Sequence, residues 1–258
     1  MAKNALKILF NLANVAHFGF IIYFMNSLQI PGHRQNAFGG HWKFITFWNL
    51  WIQLVYFSVG LCNELCGLNP NPTNKQSSSK LQRTRDFLFS TLGLPVGFFV
   101  TVIFWSIYAM DRSLIFPKKL DEFYPHWANH MMHTTCMVSQ LIELMTTFHA
   151  YPSRTKGLLT AMSFSLIYLG WILFIAHQAN VWVYPILQKL SPIGRSVFIG
   201  SSSVLFGMIY LGGEALNGKV WSLQTQKNKK EQTAANGNHD EPTHNYNTRS
   251  RKKVAKVD

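Results

Sequence analysis

Two short stretches of this 258-residue chain hold side chains that could do chemistry together. The stretch HWANHMMHTT, residues 126–135, carries His126, His130 and His133 at spacings of four and three, which on a helix puts all three on one face. The stretch WKFITFWNLWIQ, residues 42–53, carries Thr46, Asn49 and Gln53, also on one helical face. A threonine hydroxyl is too weakly acidic to attack an ester unaided. An imidazole within hydrogen-bond reach takes the proton during the attack and returns it to the leaving alcohol. Such a pair also needs donors for the oxyanion that develops. Asn129 and Asn49 are the sequence's candidates, and the sequence does not choose between them.

The elements that must position these residues are read from composition. The chain is 48% hydrophobic and only 14% charged, against roughly 25% charged in a soluble domain. The charge is uneven, since the last 32 residues hold 8 of the 24 lysines and arginines. Six apolar runs, roughly 6–26, 44–65, 87–109, 127–148, 157–177 and 193–216, approach the length of about 20 residues that a bilayer-spanning helix needs. The expected fold is therefore all-α, a polytopic bundle of six transmembrane helices. Pro95, flanked by Gly93 and Gly97, predicts a kink in the third span.

Lys3 and Lys7, the 66–86 loop with Lys75, Lys80, Arg83 and Arg85, the turn with Arg154 and Lys156, and the basic tail all fall on one side of a six-span protein. Excess Lys and Arg mark the cytoplasmic side, so both termini are expected there. Thr46 and His133 then lie near the outer ends of spans two and four, at similar depth. The net charge of +13 is spread over loops and tail without interleaved aromatics, which argues against nucleic acid as a partner. Cys62, Cys66 and Cys136 make no disulfide framework; the first two are structural thiols or an S-palmitoylation site near a helix end. HxxxHxxH is similar to the histidine boxes of membrane di-iron enzymes. Those enzymes gather several boxes at the cytoplasmic face, whereas His17, His33, His41, His239 and His244 are scattered and the cluster lies on the other side. No metal and no cofactor are expected.

GGHWKFITFWNLWIQLVYF (39–57), FPKKLDEFYPHWANHMMHTT (116–135), YPSRTKGL (151–158), VWVYPIL (181–187) and YLGGEALN (210–217) resemble the family of androgen-induced gene 1 protein and androgen-dependent TFPI-regulating protein. The resemblance runs in order from about residue 8 to residue 221. It implies a multipass membrane hydrolase that cleaves fatty acid esters of hydroxy fatty acids with a threonine nucleophile and a histidine. The family's W-K-[FY]-x-T is matched by Trp42 to Thr46, and its N-H-x-M-H-T by Asn129 to Thr134, which carries the two roles onto Thr46 and His133. The chain departs from the family's W-L-N-H at Ala128, a change of packing more than of chemistry, and His126 lies outside the signature.

The expectations are these. Residues 1–221 form a six-helix transmembrane hydrolase domain, and 222–258 a basic disordered cytoplasmic tail. Thr46 attacks a lipid ester, His133 acts as base, and an acyl-threonine forms. His130 supports or lines the site, Lys43 holds the substrate carboxylate, and Met131, Met132 and Met137 are adaptable pocket residues. The protein sits in the endoplasmic reticulum or plasma membrane, with the RSRKK run of the tail attracted to anionic lipid. The rival readings are a non-enzymatic scaffold or regulator, and a di-iron lipid oxidase.

Overall fold

The computed structural model describes residues 2–28, 38–66 and 79–237, with side chains from Asn4 to Leu223 within those stretches. Lys75, His33, His239, His244 and the RSRKK run lie outside them. Among the described residues all regular structure is helical: α1 Ala2–Ser27, α2 Ile45–Leu65, α3 Lys80–Leu88, α4 Leu94–Asp111, α5 His126–His133, α6 Thr135–Thr146, α7 Arg154–Ala179, α8 Pro185–Lys189 and α9 Pro192–Gly237. The chain divides into two compact units, Met1–Gly218 and Lys219–Asp258, and the candidate site lies wholly within the first. Of the expected basic tail from residue 222, the part up to Gly237 is helical, as the end of α9; the rest lies outside the described residues.

Among the described residues five helical stretches are long and apolar enough to cross a bilayer: Asn4–Ser27, Ile45–Leu65, Lys80–Leu114, Arg154–Ala179 and Pro192–Leu223. The molecule is a multi-pass helical membrane protein. The sixth stretch expected, 127–148, is divided into α5 and α6 at Thr134, whose φ of −110° departs from the helical value. The backbone ladder bridges the division, because Thr134 N–H donates to His130 O at 2.9 Å and Val138 N–H to Thr134 O at 3.3 Å. The irregularity expected at Pro95 appears as a π turn over Phe89–Gly93, just before the proline enters the first turn of α4. Widening the preceding turn makes room for a ring that would otherwise meet the carbonyl four residues back.

An apolar core is joined by many outward-facing apolar side chains and by inward-facing polar ones. Leu6, Leu9 and Leu12 of α1, Leu159, Leu166 and Ile167 of α7, and Val197, Val204 and Met208 of α9 are exposed. Asn11, Asn14, Asn49, Gln53, Asn63, Thr101, Gln140 and Glu143 are buried. Hydrocarbon offers polar groups no partners, so they turn inward and find one another.

The inward polar faces of α2 and of α5–α6 run parallel and in register. Thr46 meets His133, Asn49 meets Cys136, Gln53 meets Gln140 and Tyr56 meets Glu143, every pair 87 residues apart in sequence. Each helix supplies its members at three- and four-residue steps, the spacing of a single face. Gln53 also donates to Gly93 O at 2.9 Å, which ties the π turn before α4 into the ladder. Gly97 permits that approach, since a Cβ there would stand 3.0 Å from Gln53 Nε2.

A buried ionic cluster closes the far end of the ladder. Arg85 lies 2.9 Å from Asp86 and 3.6 Å from Glu64, and His149 Nδ1 lies 3.1 Å from Asp86. The His149 ring stacks on Phe89 at 3.7 Å. Asn217 donates to His149 O at 2.9 Å, so α2, α3, α9 and the segment that follows α6 are joined there. At the opposite end the ladder opens into a cavity.

Candidate functional site

The cavity has a volume of about 200 Å³ and is walled by Phe44, Ile45 and Thr46 at the start of α2, by α4 from Phe99 to Ile107, by α7, by the 184–187 segment and by α9. Met132 and His133 close it from α5. Among the described residues its walls carry no Lys, Arg, Asp or Glu. The polar side chains reaching it are Thr46, His133, Tyr124, Tyr168, Tyr184 and three serines. A hydrophobic slot with a few convergent polar groups suits a lipid chain bearing one reactive function.

Thr46 Oγ1 lies 3.2 Å from His133 Nε2. Thr46 stands in the first turn of α2, reached through a turn in which Gly39 adopts φ 87°, a left-handed value that favours glycine. A threonine in a membrane helix commonly bonds the carbonyl four residues back. Here that carbonyl, Trp42 O, accepts from the indoles of Trp48 at 2.6 Å and Trp171 at 2.9 Å. The Thr46 hydroxyl faces the imidazole instead.

The orientation of His133 is fixed from three sides. Its ring stacks on Phe104 with centroids 3.6 Å apart and planes 9° from parallel. Nδ1 lies 2.9 Å from Asn129 Oδ1 and 3.1 Å from Asn129 O. Both neighbours are oxygens able only to accept, so the proton of the neutral ring belongs on Nδ1. Nε2 is left with its lone pair toward Thr46, the tautomer of a general base.

The other expected site residues fall in different places. Asn129 touches His133 but does not wall the cavity. Asn49 is fully buried one turn deeper, where its Oδ1 accepts from Gln53 at 3.0 Å, and it also stays out of the cavity wall. His130 is exposed, holds the Thr134 hydroxyl at 3.0 Å and stacks on Trp105. Lys43 is buried with its ammonium 5.4 Å from the Phe44 ring, outside the cavity wall. Of the three methionines, Met132 lines the cavity. His126 is exposed. No group of three metal-binding side chains is found among the described residues.

Two cavity residues have no signal in the sequence reading. Ile45 N–H donates to both Tyr168 Oη at 2.9 Å and Tyr184 Oη at 3.0 Å. The two hydroxyls lie 2.8 Å apart. Tyr184 stands in the VWVYPIL stretch that carried the resemblance, which could have singled it out.

Comparison with known proteins bears on the same region. The model of the family described as FAR-17a/AIG1-like protein matches residues 6–218. The chain is 41% identical over 210 residues to the androgen-induced gene 1 protein of Homo sapiens, covering 80% of this chain and 87% of that one. It is 35% identical over 188 residues to the androgen-dependent TFPI-regulating protein of Mus musculus, covering 73% and 80%. A protein of Schizosaccharomyces pombe named as a membrane protein is 26% identical over 180 residues, covering 69% and 75%. No solved structure matches. None of these names states a reaction.

Proposed function

The chain belongs to the FAR-17a/AIG1-like family, and from that premise we propose that it is a membrane-embedded carboxylic ester hydrolase acting on fatty acid esters of hydroxy fatty acids. The observation that carries this reading is the 3.2 Å approach of Thr46 Oγ1 to a histidine nitrogen whose tautomer is set to accept a proton, inside an apolar cavity. Thr46 Oγ attacks the ester carbonyl as its proton passes to His133 Nε2. Collapse of the tetrahedral intermediate breaks the bond to the hydroxy acid, which leaves with that proton. The acyl-threonine is then hydrolysed by water activated at the same nitrogen.

An uncharged cavity wall dictates how such a substrate lies. A carboxylate costs several kcal/mol to bury unpaired, so the acyl chain enters the cavity and the carboxylate of the hydroxy acid stays at the membrane interface. Lys43, turned onto Phe44, is not placed in the cavity wall to hold it.

We count α5 and α6 together as the sixth crossing, because the bonds across Thr134 make His126 to Thr146 one rod of 21 residues, about 31 Å long at 1.5 Å per residue. Both termini then face the cytoplasm by the distribution of basic residues, in the endoplasmic reticulum or plasma membrane. The RSRKK run would meet anionic lipid there.

The experiment is hydrolysis of a defined fatty acid ester of a hydroxy fatty acid by the purified protein, comparing wild type with Thr46→Ala and Thr46→Ser. Wild-type turnover, abolished by alanine and partly kept by serine, supports the reading. Turnover equal in Thr46→Ala overturns it.

A further inference from the structure

A threonine and a histidine leave one catalytic need unmet, since the charge that develops on the carbonyl oxygen requires donors. Neither asparagine expected from the sequence reaches the cavity: Asn129 Oδ1 faces His133, and Asn49 is bonded to Gln53. The start of α2 offers others.

Tyr168 Oη lies 3.0 Å from Lys43 O and 2.8 Å from Tyr184 Oη. Both oxygens receive Ile45 N–H, the residue next to the nucleophile, and both tyrosines line the cavity with Thr46 and His133. Counting hydrogens separates the two. The carbonyl of Lys43 can only accept, so the Tyr168 proton goes to it. The Tyr184 proton has the Tyr168 oxygen as partner at rest, and that oxygen is already supplied by Ile45 N–H. Rotation about its C–O bond therefore turns the Tyr184 hydroxyl into the cavity without orphaning a buried acceptor. Burial pushes the Tyr184 hydroxyl up from its ordinary value, which keeps it a donor at physiological pH.

A second donor sits on the nucleophile itself. The carbonyls three and four residues before Thr46 are taken, Lys43 O by Tyr168 and Trp42 O by two indoles. Among the described residues no backbone carbonyl receives Thr46 N–H. It is one of the first-turn donors a helix cannot satisfy internally, at the end of α2 that favours negative charge.

We propose that Tyr184 donates its hydroxyl to the oxyanion formed when Thr46 attacks, with Thr46 N–H as the second donor, and that Tyr168 is the positioning residue that holds it. This rests on the hydrolase reading above. As the Thr46 Oγ–carbon bond forms, the carbonyl π pair moves to oxygen and the Thr46 proton to His133. Tyr184 gives a hydrogen bond and keeps its proton throughout.

The test compares Tyr184→Phe and Thr46→Ala in the full-length protein, using lipid-ester turnover and inhibition by a trifluoromethyl ketone carrying the same acyl chain. Phenylalanine keeps the ring against Phe44, 6.0 Å away between centroids. Tyr184→Phe is expected to lower kcat by about 10²-fold, the usual cost of one oxyanion donor, with KM within about twofold. The ketone, which mimics the intermediate, should weaken in the same proportion; loss of packing alone would not track the two together. Full kcat in Tyr184→Phe beside a dead Thr46→Ala overturns the assignment and leaves the hydrolase reading standing. Activity in Thr46→Ala overturns both. Should Tyr184→Phe fail to fold, 3-fluorotyrosine at 184 keeps ring and hydroxyl with a more acidic proton. Tighter binding of the ketone then supports the assignment, and unchanged binding overturns it.

Discussion

His133 and Asn129 are bound one helical turn apart, with Nδ1 of the imidazole 2.9 Å from the carboxamide oxygen and 3.1 Å from the carbonyl of the same residue. That contact leaves Nε2 facing Thr46 with its lone pair, the state a general base needs.

Asn129→Leu should therefore lower kcat by about tenfold or more, since the tautomer and ring angle lose their side-chain acceptor. The backbone carbonyl remains, so activity is reduced and not abolished. Asn129→Asp keeps an acceptor and should retain more activity than the leucine variant. Steady-state hydrolysis by the three proteins checks the order; equal rates in all three would remove Asn129 from the site.

The ladder makes a prediction about stability. Gln140 donates to Gln53, and Gln53 to Gly93 O. Gln53→Leu strands both of those partners and should cost about 1–3 kcal/mol. The double variant Gln53→Leu with Gln140→Leu should recover part of that loss, because an apolar pair leaves fewer groups unsatisfied. Thermal unfolding in detergent supplies the comparison, and strict additivity of the single effects would contradict the pairing.

At the far end, Arg85 balances the buried Glu64 and Asp86. Arg85→Leu leaves carboxylates uncompensated and should destabilise by about 3–5 kcal/mol, enough to drain folded protein from the membrane. Yield and melting temperature against wild type check it. A well-folded Arg85→Leu protein would mean the cluster is not what joins those helices.

The cavity walls predict chain-length selectivity. Ile103 lines the cavity on α4. Ile103→Trp should raise KM for long acyl esters severalfold and spare short ones, because bulk shortens the slot while Thr46 and His133 themselves are unchanged. A parallel loss for acetate and palmitate esters would place the acyl chain elsewhere.

Sequence periodicity made the helical, membrane-crossing character legible, along with the inward face of α2, because hydrocarbon forces polar residues at three- and four-residue steps to one side. It also suggested a common depth for Thr46 and His133, which lie 3.2 Å apart. The division at Thr134 was not legible: Thr134 Oγ1 accepts from Trp105 Nε1 at 3.1 Å and lies 3.0 Å from His130 Nδ1, contacts that no helical pattern encodes. Asn49 shares the Thr46 face yet stands a turn deeper, since a face fixes direction and not depth. Tyr168 and Tyr184 meet Ile45 across 123 and 139 residues, separations at which local spacing says nothing.

The most direct measurement is labelling of the detergent-solubilised protein with a fluorophosphonate, followed by mapping of the modified peptide. Such a probe reacts with an activated hydroxyl and ignores an ordinary threonine. Phosphonylation at Thr46 in wild type, lost in His133→Ala while that variant remains folded, is the result predicted. Undiminished labelling of Thr46 in His133→Ala, or labelling at another residue alone, would contradict the dyad.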